Sequence, residues 1–359
     1  MSHMVSVELG ERSYPVVFGD FREVFSPDGV LGGVFRGRSV LLAADANADR
    51  CHPEIAEAVA SLSGRCEKFI VPSGEEFKTP ETVLEICRFA AGRGLGRDAL
   101  FAAAGGGVTG DLAGFAASIY MRGVPCVQIP TTLLAMLDSS IGGKTGCDLP
   151  EGKNLIGAFH QPAAVGAVPE VLGTLPEREI VNGMGEAVKY ALGFDWELFE
   201  ALEREPVLSS DGVRRCAAIK AGVVSADERE SDAKSAGGGR SRELLNLGHT
   251  YAHAVETATG YRIPHGAAVG IGCRAAARLG VMRGLLSAEI LARIDRLWPR
   301  IGLACRIPEG LGASELTEIM RRDKKRRMGR HRLVVPCGPG VCRVLDNVSE
   351  EGIAASMEA

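Results

Sequence analysis

The chain has 359 residues, of which 46% are hydrophobic and 24% charged, and its formal net charge is −4. That length favours two domains over one core, and the charge balance excludes a basic nucleic-acid-binding protein. No apolar run is long enough to span a membrane, and no charged start leads into an apolar segment, so neither a membrane partner nor a signal peptide is expected.

The opening Met1-Ser2-His3-Met4 has the look of a cloning remnant, and His3 is left out of the site. Val5-Ser6-Val7-Glu8-Leu9 and Tyr14-Pro15-Val16-Val17-Phe18 alternate around Gly10-Glu11-Arg12 and predict a hairpin. Ser39 to Ala44 followed by Asp45 predicts a buried parallel strand ending at a ligand edge. Phe69-Ile70-Val71-Pro72 predicts a second strand and residues 98–104 a third. Strand, helix and strand in succession imply a parallel sheet with crossover helices up to about residue 170. From Pro176 onward the pattern is helical, with amphipathic stretches at 177–204, 210–230, 242–258 and 265–285. Residues 231–241 read as a flexible loop, and Arg332 to Pro336 as a lone strand. The ten cysteines have no C-x-x-C spacing and read as reduced thiols of a cytoplasmic protein.

Several segments carry chemistry. Gly105-Gly106-Gly107-Val108-Thr109-Gly110-Asp111 lies between a strand and a helix, where backbone amides can meet a pyrophosphate or simply make a tight turn. Asp45 and Asn47 fit either ribose hydroxyls or an ordinary Asx turn. Residues 128–162 set hydroxyls, Asp138, Lys144, Lys153 and Asn154 among glycines, a composition suited to anionic oxygens. Gly142-Gly143-Lys144-Thr145 lacks the upstream glycine of a P-loop, which excludes that motif. Asn182, Glu186 and Lys189 step by four and three along one helical face.

The densest signal runs from Arg242 to His265. Arg242, Asn246, His249 and His253 step by four, three and four, a polar stripe where a core-facing helix would be apolar. Glu186 with two or three histidines is the ligand set of a catalytic divalent site, zinc being the natural ion; alone, Glu186 would be an exposed partner of Lys189. Spacing by itself favours His249 and His253 as ligands. His160 and His331 read as surface or packing histidines, and His52 has no partner motif. Asp227-Glu228-Arg229-Glu230 and residues 323–327 read as solvated charge.

Taken together, the glycine motif of 105–122, the 128–162 block and Leu245-Asn246-Leu247-Gly248-His249-Thr250-x-x-His253 with the later His265-Gly266 resemble the 3-dehydroquinate synthases of the sugar phosphate cyclase family. The resemblance runs from residue 74 to residue 325. It implies an α/β N-terminal NAD-binding domain, residues 1–175, plus a mainly α-helical metal-binding C-terminal domain, residues 176–359, with the active site in the cleft between them. It implies Glu186, His249 and His265 as ligands of Zn2+ or Co2+, which moves His253 from ligand to acid/base group. Glu230 takes the position of a proton acceptor, and Lys189 and Asp138 join it as catalytic groups.

NAD would be held by Asp45, Asn47, Glu75, Lys78, Gly106, Gly107, Asp111, Thr131, Thr132 and Lys153, with a contribution from residues 171–174. Substrate would be held by Arg122 across a homodimer interface and by Asp138, Lys144, Asn154, Asn182, Lys189, Lys220, Arg242, Asn246 and Lys324. The implied reaction converts 3-deoxy-D-arabino-heptulosonate 7-phosphate to 3-dehydroquinate and phosphate, in the shikimate pathway. It proceeds by transient oxidation with NAD, β-elimination, re-reduction and an intramolecular aldol step. A sister cyclase acting on an amino analogue and a metal-dependent NAD polyol dehydrogenase are the alternatives.

Overall fold

The computed structural model describes residues 3–230, 241–322 and 331–358. Lys324, Lys325 and nearly all of the predicted 231–241 loop lie outside them. The chain divides into two compact units, Met1–Pro176 with Lys220–Glu228, and Glu177–Ile219 with Arg229–Ala359.

The first unit is built on a seven-stranded sheet. Its strands are β1 (His3–Val7), β2 (Tyr14–Phe18), β3 (Ser39–Asp45), β4 (Arg65–Val71), β5 (Leu100–Gly105), β6 (Cys126–Pro130) and, further along the chain, Ala164–Ala167. Between the last two, β7 (Lys144–Leu149) and β8 (Gly152–Phe159) form a separate antiparallel pair, so Ala164–Ala167 is β9. The order across the sheet is β1-β2-β9-β6-β5-β3-β4. Only β1 and β2 are antiparallel, as the predicted hairpin requires. β5 is buried throughout. Its Ala102-Ala103-Ala104 run leaves space for covering helices, and Leu41, Phe101, Leu112 and Ala116 pack into one apolar cluster.

The second unit is mainly helical, and local chemistry cuts its helices shorter than periodicity predicts. The expected 177–204 helix is two, Glu177–Gly193 and Trp196–Arg204, because the Asp195 side chain caps the second by accepting from the Leu198 amide at 3.1 Å. The expected 242–258 helix is also broken. Arg242–Asn246 is a 3-10 turn, and the α-helix His249–Ala258 starts after Gly248, at φ +80°. A Cβ on Gly248 would lie 2.7 Å from the Cys273 amide nitrogen, so both the backbone angle and the close contact require glycine there. Arg242 and Asn246 therefore do not share a helical face with His249 and His253.

The predicted lone strand is also corrected. β10 (His331–Gly338) pairs antiparallel with β11 (Val341–Val348), which periodicity missed because Arg343, Asp346 and Asn347 interrupt its apolar residues and most of it is exposed or half-exposed. The helix Ser210–Ala226 stops before the 227–230 charge run. Asp227 is buried, and Arg12 and Gln161 hold the Glu228 carboxylate, so this is not a solvated helix face. No helix among the described residues is long and apolar enough to cross a membrane, and none of the ten cysteines is in a disulfide.

Candidate active site

In the first unit, the carboxyl ends of neighbouring parallel strands gather most of the residues expected to hold NAD. β3 ends at Asp45, β5 at Gly105 and β6 at Pro130, just before Thr131 and Thr132. The Thr131 amide donates to the Gly105 carbonyl at 2.9 Å, and a Cβ on Gly106 would lie 3.0 Å from Thr132 Cγ2. The 13-residue helix Gly107–Ile119 follows directly, and no side chain caps its N-terminus. Its first amides and positive dipole end can take a pyrophosphate, so the glycine cradle fits a dinucleotide. Asp45 Oδ1 accepts from the Asn47 and Ala48 amides at 2.9 and 3.0 Å, the Asx-type cap of the next helix, while Asn47 Oδ1 accepts from Arg50. His52, which sequence reading left without a partner, contacts Thr174 Oγ1 at 2.7 Å through Nε2 and ties this edge to the turn Pro169–Thr174.

A second group surrounds buried Lys78. Its ammonium lies 2.7 Å from Asp111 Oδ2 and donates to Asn154 Oδ1 at 2.7 Å. Burial works to lower the Lys78 ammonium, but Asp111 and Glu75 outweigh it and hold the group above its ordinary value, so it stays charged. Lys153 pairs with Glu75 at 3.1 Å, and Asp148 Oδ1 accepts from the Asn154 amide at 2.7 Å. Asn154 is at φ +52°, a left-handed conformation this hydrogen bond supports.

Asp138 sits in a π-helical turn, Ala135–Ser139, and forms a short ion pair with Lys220. Both are buried. Lys220→Ala is expected to lower unfolding stability by about 3 kcal/mol, because it takes the cation from a buried carboxylate. Denaturant titration checks this, and a loss below about 1 kcal/mol would mean that Asp138 is solvated without Lys220. Arg122 and Lys144 are exposed, and Arg122 follows Met121 in a left-handed pair at φ +70° and +51°.

The second unit contains a metal-ready cluster. Glu186, His249 and His265 offer ligand atoms that all lie within 4.8 Å of one another. Glu186 comes from the helix Glu177–Gly193, His249 starts the helix after Gly248, and His265 starts the helix His265–Met282. Two glycines let the first and last of these helices touch. A Cβ on Gly185 would lie 1.7 Å from the Gly266 carbonyl oxygen, and one on Gly266 would lie 1.6 Å from that of Asn182. Only hydrogen fits at either position.

Glu186 Oε1 lies 3.3 Å from His249 Nε2 and 3.3 Å from His265 Nε2. Lys189 Nζ lies 2.5 Å from the other oxygen, Oε2. The far ring nitrogens both face acceptors: His249 Nδ1 is 3.2 Å from the Leu247 carbonyl, and His265 Nδ1 is 3.3 Å from Glu256 Oε2. Both Nε2 atoms face Glu186, and with protons held at Nδ1 their lone pairs would be open to a divalent cation there. The donor set therefore fits zinc or cobalt.

The electrostatics agree. Burial works to raise the Glu186 carboxyl, but Lys189 and His249 hold it well below the usual carboxylate range. Burial pushes His249 down. Burial also opposes a charged His265, but the Glu186 and Glu256 carboxylates prevail and raise it to about 10, so a cation must displace its proton.

His253, Glu230, Arg242, Asn246 and Asn182 belong to the same unit. The His253 ring centroid is 5.9 Å from that of His249 and 6.3 Å from that of His265. Glu230 Oε1 accepts from Asn246 Nδ2 at 2.8 Å, and Arg242 is buried in the same segment. Asn182 Oδ1 accepts from the Gly266 backbone amide at 2.7 Å, so the Asn182 side chain braces the backbone beside His265. Glu256 was missed by sequence reading. Its signal was the continued stripe of 249, 253 and 256 on one helical face.

Residues 68–182 match the family model described as 3-dehydroquinate synthase N-terminal, and residues 183–326 the one described as 3-dehydroquinate synthase C-terminal. The chain is similar to a 3-dehydroquinate synthase of Synechococcus sp. (strain CC9605), 42% identical over 99% of this chain and 97% of that relative. In structure it is similar to 2-epi-5-epi-valiolone synthase from Streptomyces hygroscopicus subsp. jinggangensis 5008 with NAD+ and Zn2+ bound. That likeness has a TM-score of 0.85 and 29% identity over 97% of this chain and 96% of the other. A 2-deoxy-scyllo-inosose synthase complexed with carbaglucose-6-phosphate, NAD+ and Co2+ gives a TM-score of 0.84 and 25% identity, covering 99% of both chains. With both halves matched in order and a close relative aligned along nearly its whole length, the chain belongs to the 3-dehydroquinate synthase family.

Proposed function

We propose that this protein converts 3-deoxy-D-arabino-heptulosonate 7-phosphate to 3-dehydroquinate and phosphate, as a carbon–oxygen lyase of the shikimate pathway. The observation that carries the reading is the convergence of Glu186, His249 and His265 on one point in a chain of this family. Residues 1–175 hold NAD in this reading, and residues 176–359 hold the cation and much of the substrate. When bound, NAD+ would supply a reversible hydride acceptor, and Zn2+ or Co2+ would acidify a coordinated hydroxyl.

The chain's own residues bind, orient and move protons. Arg122, Lys144, Lys189, Lys220, Arg242 and Lys324 neutralise the phosphate and carboxylate and fix one pose. Asp138, Asn154, Asn182 and Asn246 hold hydroxyls. Glu230, oriented by the Asn246 amide, accepts a proton, and His253 serves as acid/base beside the cluster. Lys189 also keeps Glu186 ionised. Asp45, Asn47, Glu75, Lys78, Asp111, Thr131, Thr132 and Lys153 grip NAD around the Gly106-Gly107 cradle. The protein acts in the cytoplasm as a homodimer, with Arg122 serving the second copy; the exposed Ile119 and Met121 beside it support that assignment.

Purified protein with NAD+ and Zn2+ is expected to release inorganic phosphate from the heptulosonate phosphate with no net rise in NADH absorbance. Faster release from an amino analogue would transfer the assignment to a sister cyclase. Sustained NADH formation from simple polyols would transfer it to a dehydrogenase.

A further inference from the structure

We infer that Glu256 is a positioning residue of the metal centre, holding His265 in the orientation and tautomer that binds the cation; this rests on the metal reading proposed above. Glu256 is 3% exposed, on the same face of the helix His249–Ala258 as His249 and His253. A buried carboxylate is costly unless something in the fold uses its charge. Here Oε2 faces His265 Nδ1 at 3.3 Å, while the opposite nitrogen of that ring faces Glu186 Oε1 at the same distance. The ring is thus suspended between two carboxylates, one on the ligand side and one behind it.

The two imidazoles differ in what stands behind them. His249 is backed by the neutral Leu247 carbonyl, His265 by an anion. A carboxylate on Nδ1–H makes the other nitrogen a stronger donor and blocks the tautomer that would put a proton in the cation's place.

The test is metal affinity of the full-length protein, measured by competition with a chelator for Zn2+ and Co2+, without any activity assay. Glu256→Gln keeps an acceptor for Nδ1–H but loses the charge, and is expected to weaken binding about 10- to 100-fold. Glu256→Ala is expected to weaken it further, with a changed visible spectrum of bound Co2+. Circular dichroism and thermal melting of the metal-free proteins separate loss of affinity from failure to fold. Should the variants not fold, 15N-labelled histidine in zinc-loaded wild type decides: the inference requires the His265 proton on Nδ1, and a proton on Nε2 overturns it. Glu256→Gln binding metal within twofold of wild type also overturns it. Wild type that binds no metal would instead sink the metal reading itself.

Discussion

His249→Ala is expected to leave the purified protein without stoichiometric metal and without detectable turnover, whereas His253→Ala keeps its metal and loses turnover about 10²- to 10⁴-fold. The difference follows from where the two rings stand. His249 presents Nε2 to the Glu186 oxygen that His265 also faces, with its other nitrogen held by a backbone carbonyl. Removing it leaves one imidazole and one carboxylate, too few protein ligands for a stable zinc site. His253 is one helical turn further on, its ring centroid 5.9 Å from that of His249, outside the converging ligand set. Metal analysis after dialysis, alongside phosphate release, separates the two outcomes. Equal metal content in wild type and His249→Ala would refute the ligand assignment, whatever happens to activity.

The second large effect is expected at a residue that touches neither metal nor substrate. Gly266→Ala would place a methyl group 1.6 Å from the Asn182 carbonyl oxygen, so the helices Glu177–Gly193 and His265–Met282 must move apart. Overpacking of this kind costs about 3 kcal/mol, and the rigid backbone on both sides leaves little room to relax. The same movement pulls His265 from Glu186 and breaks the Asn182–Gly266 hydrogen bond, so metal affinity falls with stability. Gly222 is the control. It also lies in a helix, but a Cβ there meets nothing within 4 Å. Gly222→Ala is expected to raise stability by about 0.5 to 1 kcal/mol through better helix propensity. Chemical denaturation of both variants checks the pair, and a Gly266→Ala protein as stable as wild type would show that the helices do not touch there.

Much of this protein is set by local chemistry and is therefore legible in the chain itself. Alternation around Gly10-Glu11-Arg12 specifies the β1–β2 hairpin, and apolar runs ending at Asp45 and Gly105 specify parallel strands with polar carboxyl ends. The Glu186, His249 and His265 trio and the Gly105-Gly106-Gly107 run were visible as types and spacings, and the resemblance favoured His265 over His253, the histidine that the structure brings beside Glu186 being His265.

Tertiary packing decided the rest. The polar stripe from Arg242 to His253 was counted as one helix, but Gly248 adopts a left-handed angle to pass the Cys273 backbone and turns His249 onto a new axis. β11 gained its place from pairing with β10 rather than from its own pattern. Glu228 and Asp227 looked solvated in a charge run, yet the first unit buries one and pairs the other. Periodicity reports which side of an element is apolar; it carries no information on which distant segment will press against the polar side. Glu186 meets His265 across 79 positions because two glycines permit backbone contact, and that distance is set by steric fit rather than by pattern.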